Sequence, residues 1–291
     1  MISREKKRGS RLWTVVDIFT RSKLALVGLF IVTVLIVVAA CAPWIAPHDP
    51  LKHNYMHLME PPSPSFPLGT DNYGRGILSR IIYGAKYALL LGMAIVAIEG
   101  LIGVTLGLLA GYYGKTVEMV IMRITDVMLS IPAIVLALAV AGLLGGGLIN
   151  VIIAVGVVGW RGYTRLVRSE VLSIKEEFYV EAARASGASN TGIILRHVLP
   201  NISTSIIVYM SLSIPSAILW AAGLSFLGLG AQPPTPEWGA MLSNGRDFMR
   251  RAWWMTTFPG LAIMFTVLGF NFLGDGLRDA LDPKMAGRSE G

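Results

Sequence analysis

The sequence predicts an all-α integral membrane protein with six transmembrane helices. Three observations carry this. Of its 291 residues, 54% are hydrophobic and only 15% are charged, too oily a balance for a soluble domain. The apolar residues gather into blocks close to the roughly 20 residues a helix needs to cross a bilayer. The blocks also lack the strict alternation over about 10 residues that marks a membrane β-barrel. Lipid offers the backbone no water, so such blocks must hydrogen-bond within themselves as helices.

The first block is Leu24–Ile45 and the second Tyr87–Gly111. The third, Val127–Leu144, carries Arg123 and Asp126 at its mouth. The fourth, Ile149–Trp160, is short and is expected to extend into the polar residues after it. The fifth, Ile202–Leu229, contains Pro215, which removes a backbone donor and kinks its helix. The sixth is Thr256–Leu273. "GLLGGGL" reads as the connection between blocks three and four. The start is basic, but the first block is too long for the apolar core of a cleaved leader and is expected to be retained. Cys41 is the single cysteine, so no internal disulfide forms.

Loop charge sets orientation. With both termini cytoplasmic, 18 of the 25 Lys and Arg residues fall on the inner side and 7 on the outer. Topology thereby accounts for the net charge of +7, and nucleic-acid binding is not required. The chain then divides into a basic tail (1–23), a first span (24–45), an extracytoplasmic segment (46–86), a core of five spans (87–277) containing a cytoplasmic loop (161–200), and a tail (278–291). The outer segments are Pro-rich and polar, and Trp253 and Trp254 suit a membrane interface.

The loop 161–200 holds the most informative stretch, "SIKEEFYVEAARASGASN". Ser173 and Glu176 have capping-box spacing. Glu176 and Glu177 suit a helix N-terminus and Arg184 a C-terminus, and Gly187 suits the left-handed position that ends a helix. The pattern predicts a helix over Ile174–Ser186, about 20 Å long. Ser189 or Asn190 then caps a second short helix, which Pro200 closes or hands to block five. Phe178, Ala182 and Ala185 share one face; Glu177 and Glu181 share another. Small residues thin one side so that another backbone can approach. The segment is either a docking element or a solvated amphipathic helix.

"EAARASGASNTGIILRHVLP" resembles the EAA loop of ABC-importer permeases, with Glu181, Ala182, Ala183, Gly187, Leu199 and Pro200 matching. His197 stands where that family has Ile, with Val198 beside it to make the apolar contact. "LGTDNYGRGILSRIIYGAKYALLLG", "LSFLGLGAQPPTPEWGAML" and "FPGLAIMFTVLGFNFLGDGLRDALDP" are similar to the C-type permeases of dipeptide, oligopeptide and nickel importers, over about residues 20–283. Gly76 departs from the Asp usual there.

The resemblance implies a type I ABC-importer permease forming half of a translocation pore. It implies a heterodimer with a B-type permease, two cytoplasmic ATPases that use ATP and magnesium, and an extracytoplasmic substrate-binding protein. No cofactor or metal is expected on this chain, and no enzymatic site. The cargo is expected to be dipeptides or oligopeptides; nickel or glutathione are the alternatives. The setting implied is a bacterial or archaeal cytoplasmic membrane. The ATPase-coupling surface is expected at Glu177, Glu181, Ala182, Ala183, Arg184, Gly187, Ala188, Leu199 and Pro200.

Other features compete. "GYYGKT" hints at a phosphate loop, but the position that should hold the first glycine is Leu109. His53 and His57, at i and i+4 with His48 nearby, could share a helix face and a metal; ordinary exposed histidines are the simpler reading. Glu99 lies inside block two, where a carboxylate is costly. It lines the path, pairs with a base such as Arg123, or is a hydrogen-bonded structural group. Asp275, Arg278 and Asp279 read as the inner end of block six. An intramembrane enzyme would need converging acids, His or a Ser/His pair at depth. A channel or ion-driven transporter would show several intramembrane charges or broken helices and no docking loop.

Overall fold

A computed structural model describes residue 13 and residues 15–281. The basic residues Arg4–Arg11 and the end of the tail 278–291 lie outside the described residues. Every regular element among the described residues is helical, and pairing of extended chain is confined to the single bridge between Thr70 and Gly76. The helices are α1 (Lys23–Ile45), α2 (Ile77–Tyr113), α3 (Lys115–Ser130), α4 (Ala133–Leu144), α5 (Leu148–Ile174), α6 (Phe178–Ala185), α7 (Asn190–Phe226), α8 (Trp238–Arg246) and α9 (Trp254–Leu281).

Each apolar block falls on a helix, but the spans differ from expectation. By length and composition α1, α2, α7 and α9 can cross a membrane. The third block is not one straight rod. It breaks at Ile131–Pro132 into α3 and α4, which meet at 92°, so it counts as a fifth span only as a bent pair. Proline explains the break: it lacks a donor and pushes the residue before it out of the helical region, and Ile131 is extended at φ −98°, ψ 130°. The fourth block continues through Arg161, Arg165 and Arg168 to Ile174, giving a 27-residue helix with a polar second half. Block two begins ten residues early, at Ile77, and block five twelve residues early, at Asn190.

The described residues form two compact units, one running up to Leu90 together with the described residues from Ser211 onward, the other Leu91–Met210. In the first unit α1 lies along α9, with Ala25 against Gly276 and Gly28 against Gly269. Small residues allow this approach where lipid gives no hydrophobic drive for helices to associate. Val32, Leu35, Ile218, Ile263 and Phe270 fill the core beside them. The outer segment is built on buried charge. Asp71 Oδ1 accepts from the N–H groups of Tyr73 (2.8 Å) and Arg75 (2.9 Å), and its Oδ2 accepts from Arg75 Nε at 2.7 Å. Arg80, 2% exposed, donates to the carbonyls of Pro50 (2.9 Å) and Pro234 (3.3 Å). Trp254 is buried, contrary to an interfacial role, and its indole donates to Thr70 O at 3.0 Å; Trp253 stays half exposed.

Helix α8 is absent from the sequence expectations. Its N-cap is Glu237, not one of the usual short caps; the carboxylate accepts from the N–H groups of Gly239 (2.9 Å) and Ala240 (2.8 Å). Burial pushes the Glu237 carboxyl above the usual carboxylate range, against the pull of those two donors and the Ser225 hydroxyl. Gly76 precedes α2, and a Cβ there would meet only ordinary contacts with Phe66 and His48 at 3.5–3.6 Å. The loop would therefore accept a side chain at this position.

The second unit packs α2 on α5 through a glycine stripe. A Cβ on Gly107 would lie 2.6 Å from Val167 Cβ and 2.9 Å from Thr164 O, and one on Gly111 2.6 Å from Val171 Cβ. Val167 and Val171 are fully buried beside Leu108, Val198 and Ile202.

Gly107→Leu should overpack this crossing, costing about 1–3 kcal/mol, and lower the unfolding temperature of the purified chain in micelles. Gly142→Leu, with nothing within 4 Å of its Cβ, should leave that temperature unchanged. The raised Glu237 value has a sign: the folded state binds this proton more tightly than the unfolded state. Its contribution is therefore full below the unfolded carboxylate value and is lost as pH rises through the folded one. Glu237→Gln loses part of the cap at every pH, so wild type starts ahead at acid pH. That lead should shrink as pH rises above the ordinary carboxylate range, measured as unfolding temperature against pH for both proteins.

Candidate docking surface

Helix α5 carries its apolar stripe, Val167, Val171 and Ile174, into the unit's core, so it does not stop at Ser173. The capping box expected at Ser173 and Glu176 is therefore not formed. Lys175 ends α5, its N–H bonding Val171 O at 2.9 Å, and the chain turns over three residues. Helix α6 then starts after Glu177, which is extended (φ −72°, ψ 141°) and makes no side-chain cap bond. The helix is eight residues long, shorter than the thirteen expected, and Glu177 stands at its edge instead of sharing a face with Glu181.

One side chain seats this helix. Val180 is fully buried among Val167, Val171, Ile193 and Val198, and Ala183, one turn on, packs on the same cluster. The other side faces out: Glu181, Ala182, Arg184 and Ala185 are exposed, and Phe178 is 83% exposed. The expected shared face of Phe178, Ala182 and Ala185 is thus an open surface of one aromatic and two small residues. The end of α6 follows the expectation for Gly187. Its φ is +80°, its N–H bonds Arg184 O and the Ala188 N–H bonds Ala183 O, each at 3.1 Å. This pair of bonds is the Schellman closure, and a residue with a Cβ would strain it.

Ser189 caps the next turn, its Oγ accepting from Gly192 N at 3.2 Å. Asn190 takes a different part: its Oδ1 accepts from Tyr112 Oη at 2.9 Å, tying the loop to the end of α2. Arg184 lies over the Tyr112 ring at 6.0 Å. Pro200 neither closes a helix nor breaks one. Residues Ile194–Val198 form a π turn that leads into the rest of α7, with Leu199 N bonded to Ile194 O. Pro200 sits at the second position of the segment beyond it, exposed, where its missing donor is absorbed by the wider turn. Leu199 is half-buried; Val198, not His197, makes the buried apolar contact.

Away from the loop, Glu99 is 7% exposed on α2 and its carboxylate lies over Gly159 of α5, on the same helix as Arg161. Arg123, the partner expected, is exposed on α3. Pro215 lies inside α7, as expected. In the outer segment the histidines do not share a helix face. Only a three-residue turn, Tyr55–His57, forms there. His48 stacks on Phe66, His53 stacks on Tyr73, and His57 pairs with Glu60 at 2.8 Å. Among the described residues no group of three or more potential metal ligands converges. Gly114, in "GYYGKT", joins two helices with no strand before it. Sequence reasoning missed Val180, Tyr112 and Arg161. Val180 and Ala183 stand three apart, the helical spacing that could have marked the inner face.

A chain of long apolar helices that presents a short, capped, exposed helix between two of them has the form of a membrane transport subunit. Residues 103–287 match the family described as binding-protein-dependent transport system inner membrane component, and residues 10–62 match the N-terminal TM domain of oligopeptide transport permease C. The dipeptide transport system permease protein DppC of Alkalihalophilus pseudofirmus is 49% identical over 265 residues, covering 91% of this chain and 87% of that protein. The di/tripeptide transport system permease protein DppC of Pseudomonas aeruginosa is 46% identical, covering 92% and 90%. The glutathione transport system permease protein GsiD of Pectobacterium atrosepticum is 47% identical, covering 92% and 89%. The chain belongs to the inner-membrane components of binding-protein-dependent transport systems, in the C-type permease group of dipeptide and oligopeptide importers. It is a multi-pass transport subunit of a larger complex. The broken third block, a feature expected of ion-driven transporters, occurs here in a chain of a different class.

Val180→Asp should unseat α6 by burying a charge. Amide hydrogen exchange over residues 178–188 should quicken well beyond any change in α9, whereas Val180→Ile should leave the pattern as in wild type.

Proposed function

We propose that this chain forms one half of the translocation pore of an ATP-driven importer of dipeptides and oligopeptides. Its partners in this reading are a B-type permease, two cytoplasmic ATPases that bind ATP and magnesium, and an extracytoplasmic binding protein that delivers cargo. The chain itself holds no nucleotide and works in a bacterial or archaeal cytoplasmic membrane with both termini inside. The observation that carries the reading is the exposed face of α6, built from the EAA stretch and held rigidly from behind by Val180. Glu181, Ala182, Ala183, Arg184, Gly187 and Ala188 shape that element, with Glu177 at its entrance and Leu199 and Pro200 at its exit. Phe178 joins them as the large apolar group on the face.

In this mechanism an ATPase receives α6 in a groove. Small residues let the two backbones close up, and Phe178 fills a hollow, as aromatic anchors do at interface centres. ATP binding draws the ATPases together, α6 moves with them, and α5 and α7 transmit the shift. Access then passes from one side of the membrane to the other between two packed states. Relatives named for glutathione transport, at 47–49% identity, favour a second cargo reading, a short peptide with a thiol.

The test is reconstitution of the complete system with each candidate cargo and its binding protein. Glu181→Lys and Gly187→Leu should insert and pair normally yet lose cargo-stimulated ATP hydrolysis and uptake. Phe178→Ala should weaken ATPase retention, read as faster dissociation of the ATPases from immobilised permease pairs. Normal uptake by Glu181→Lys and Gly187→Leu together would defeat the docking role, and uptake without ATPases would defeat the class of mechanism.

A further inference from the structure

Helix α3 ends inside the apolar part of the chain, and its last carbonyls have no helical partner. Water is scarce there, so those carbonyls need donors from the protein. Ser130 Oγ donates to Val127 O at 2.7 Å, and a side chain of another helix serves the corner. Arg161 of α5, 7% exposed, donates from one guanidinium nitrogen to Met128 O and, at 3.4 Å, to Ile131 O. Both carbonyls lie on the α3 side of Pro132, Ile131 at the corner itself. A buried guanidinium in turn needs a counter-charge, and Glu99 of α2 acts on it. Glu99 is confined: its carboxylate lies over Gly159, where a Cβ would collide with it. Glu99 and Arg161 are thus buried, and Arg161 reaches out to the half-buried Met128 and the exposed corner residue Ile131.

The arms of the bend are held differently. Helix α3 is also tied to α5 by Arg165 on Asp126 at 2.7 Å and Arg168 Nε on Glu118 at 2.7 Å. Helix α4 packs on α5 through the fully buried Ala137 and Ala141, and Asn150 Nδ2 of α5 holds Leu144 O at 2.9 Å. Arg161 holds the end of α3 and the corner residue Ile131, while α4 is held by its own contacts with α5.

We propose that Arg161 is a positioning residue that pins the α3–α4 bend, with Glu99 as its counter-charge, and that movement of α5 reaches α4 through this pin. The second half rests on α6 being the docking helix, which α5 reaches within three residues; the pin itself does not. Both bonds leave one nitrogen, so a lysine ammonium with its three donors can keep part of the pin.

The experiment uses the assembled transporter in nanodiscs on a Cys41→Ser background, with spin labels at Val120 on α3 and Leu143 on α4. Both positions are exposed. Pulsed EPR should give one narrow distance in wild type. Arg161→Gln should shift or broaden it by several ångström, and Arg161→Lys should recover it in part. Basal ATP hydrolysis should persist in Arg161→Gln while cargo-stimulated hydrolysis falls about tenfold. An Arg161→Gln distance distribution identical to wild type overturns the pin. If that variant does not assemble, an unchanged distribution in Arg161→Met overturns it equally. A shifted distance with normal stimulated hydrolysis overturns the transmission step alone. Failure of the docking reading is distinguished by the Glu181→Lys result, which does not touch the bend.

Discussion

Backbone that leaves the helix needs donors and acceptors, and in an apolar chain these must come from the protein. That constraint accounts for where the buried charges of this molecule sit. Arg161 stands at the break between α3 and α4, bonded to carbonyls that no helix satisfies. Arg80 does the same for the outer loops at Pro50 and Pro234. Asp71 performs the inverse task, accepting the N–H groups of Tyr73 and Arg75 where the chain turns. Glu237 accepts two more at the start of α8. A buried charge is costly alone and tolerable when it answers several backbone groups at once. Several irregular stretches are therefore each anchored by one buried ionisable side chain, and small residues let the regular helices pack closely.

The same logic explains why the loop after α5 is stiff though exposed. An eight-residue helix has little intrinsic stability, since nucleation costs more than so few bonds return. It persists because its C-terminal end is closed and its back is buried. Val180 inserts into the core, the Gly187 turn satisfies the last carbonyls, and Asn190 is tied to Tyr112. None of these groups occupies the outer face. Phe178 and the small residues are left free of any structural duty, which is the condition a recognition surface must meet.

Much of this is legible in the sequence, for identifiable reasons. Spanning helices announce themselves because lipid requires both length and apolarity. Gly187 is readable because few other residues accept its backbone angle, and Ser189 because short hydroxyl side chains cap helices. The EAA stretch could be read as a docking element from its small residues and its flanks. What escaped depends on contacts distant in sequence. Arg161 reads as the first residue of a polar loop because it follows an apolar block; only its carbonyl partners, 30 and 33 residues earlier, make it part of the interior. Arg123 was the nearer candidate for Glu99 by position on the chain, yet a helix face cannot be assigned until the bend at Pro132 is known. The capping box at Ser173 failed for a related reason: local cap chemistry was outweighed by the apolar stripe of α5.

Size limits what α6 can contribute. At 1.5 Å per residue its eight residues span about 12 Å, with Val180 and Ala183 turned inward. A stable protein–protein interface buries more than about 1,000 Å², beyond the reach of one such face. In the proposed importer, affinity for the ATPase is then shared with the neighbours of α6 and with the second permease. What α6 supplies in that reading is direction. Seated on the core by Val180 and closed at its C-terminal end by Gly187, it would follow α5 across a three-residue turn. A flexible loop of the same composition would absorb the displacement before it reached the membrane. The anchoring valine and the closing glycine are thus as necessary to coupling as the residues that face the partner, although neither needs to touch it.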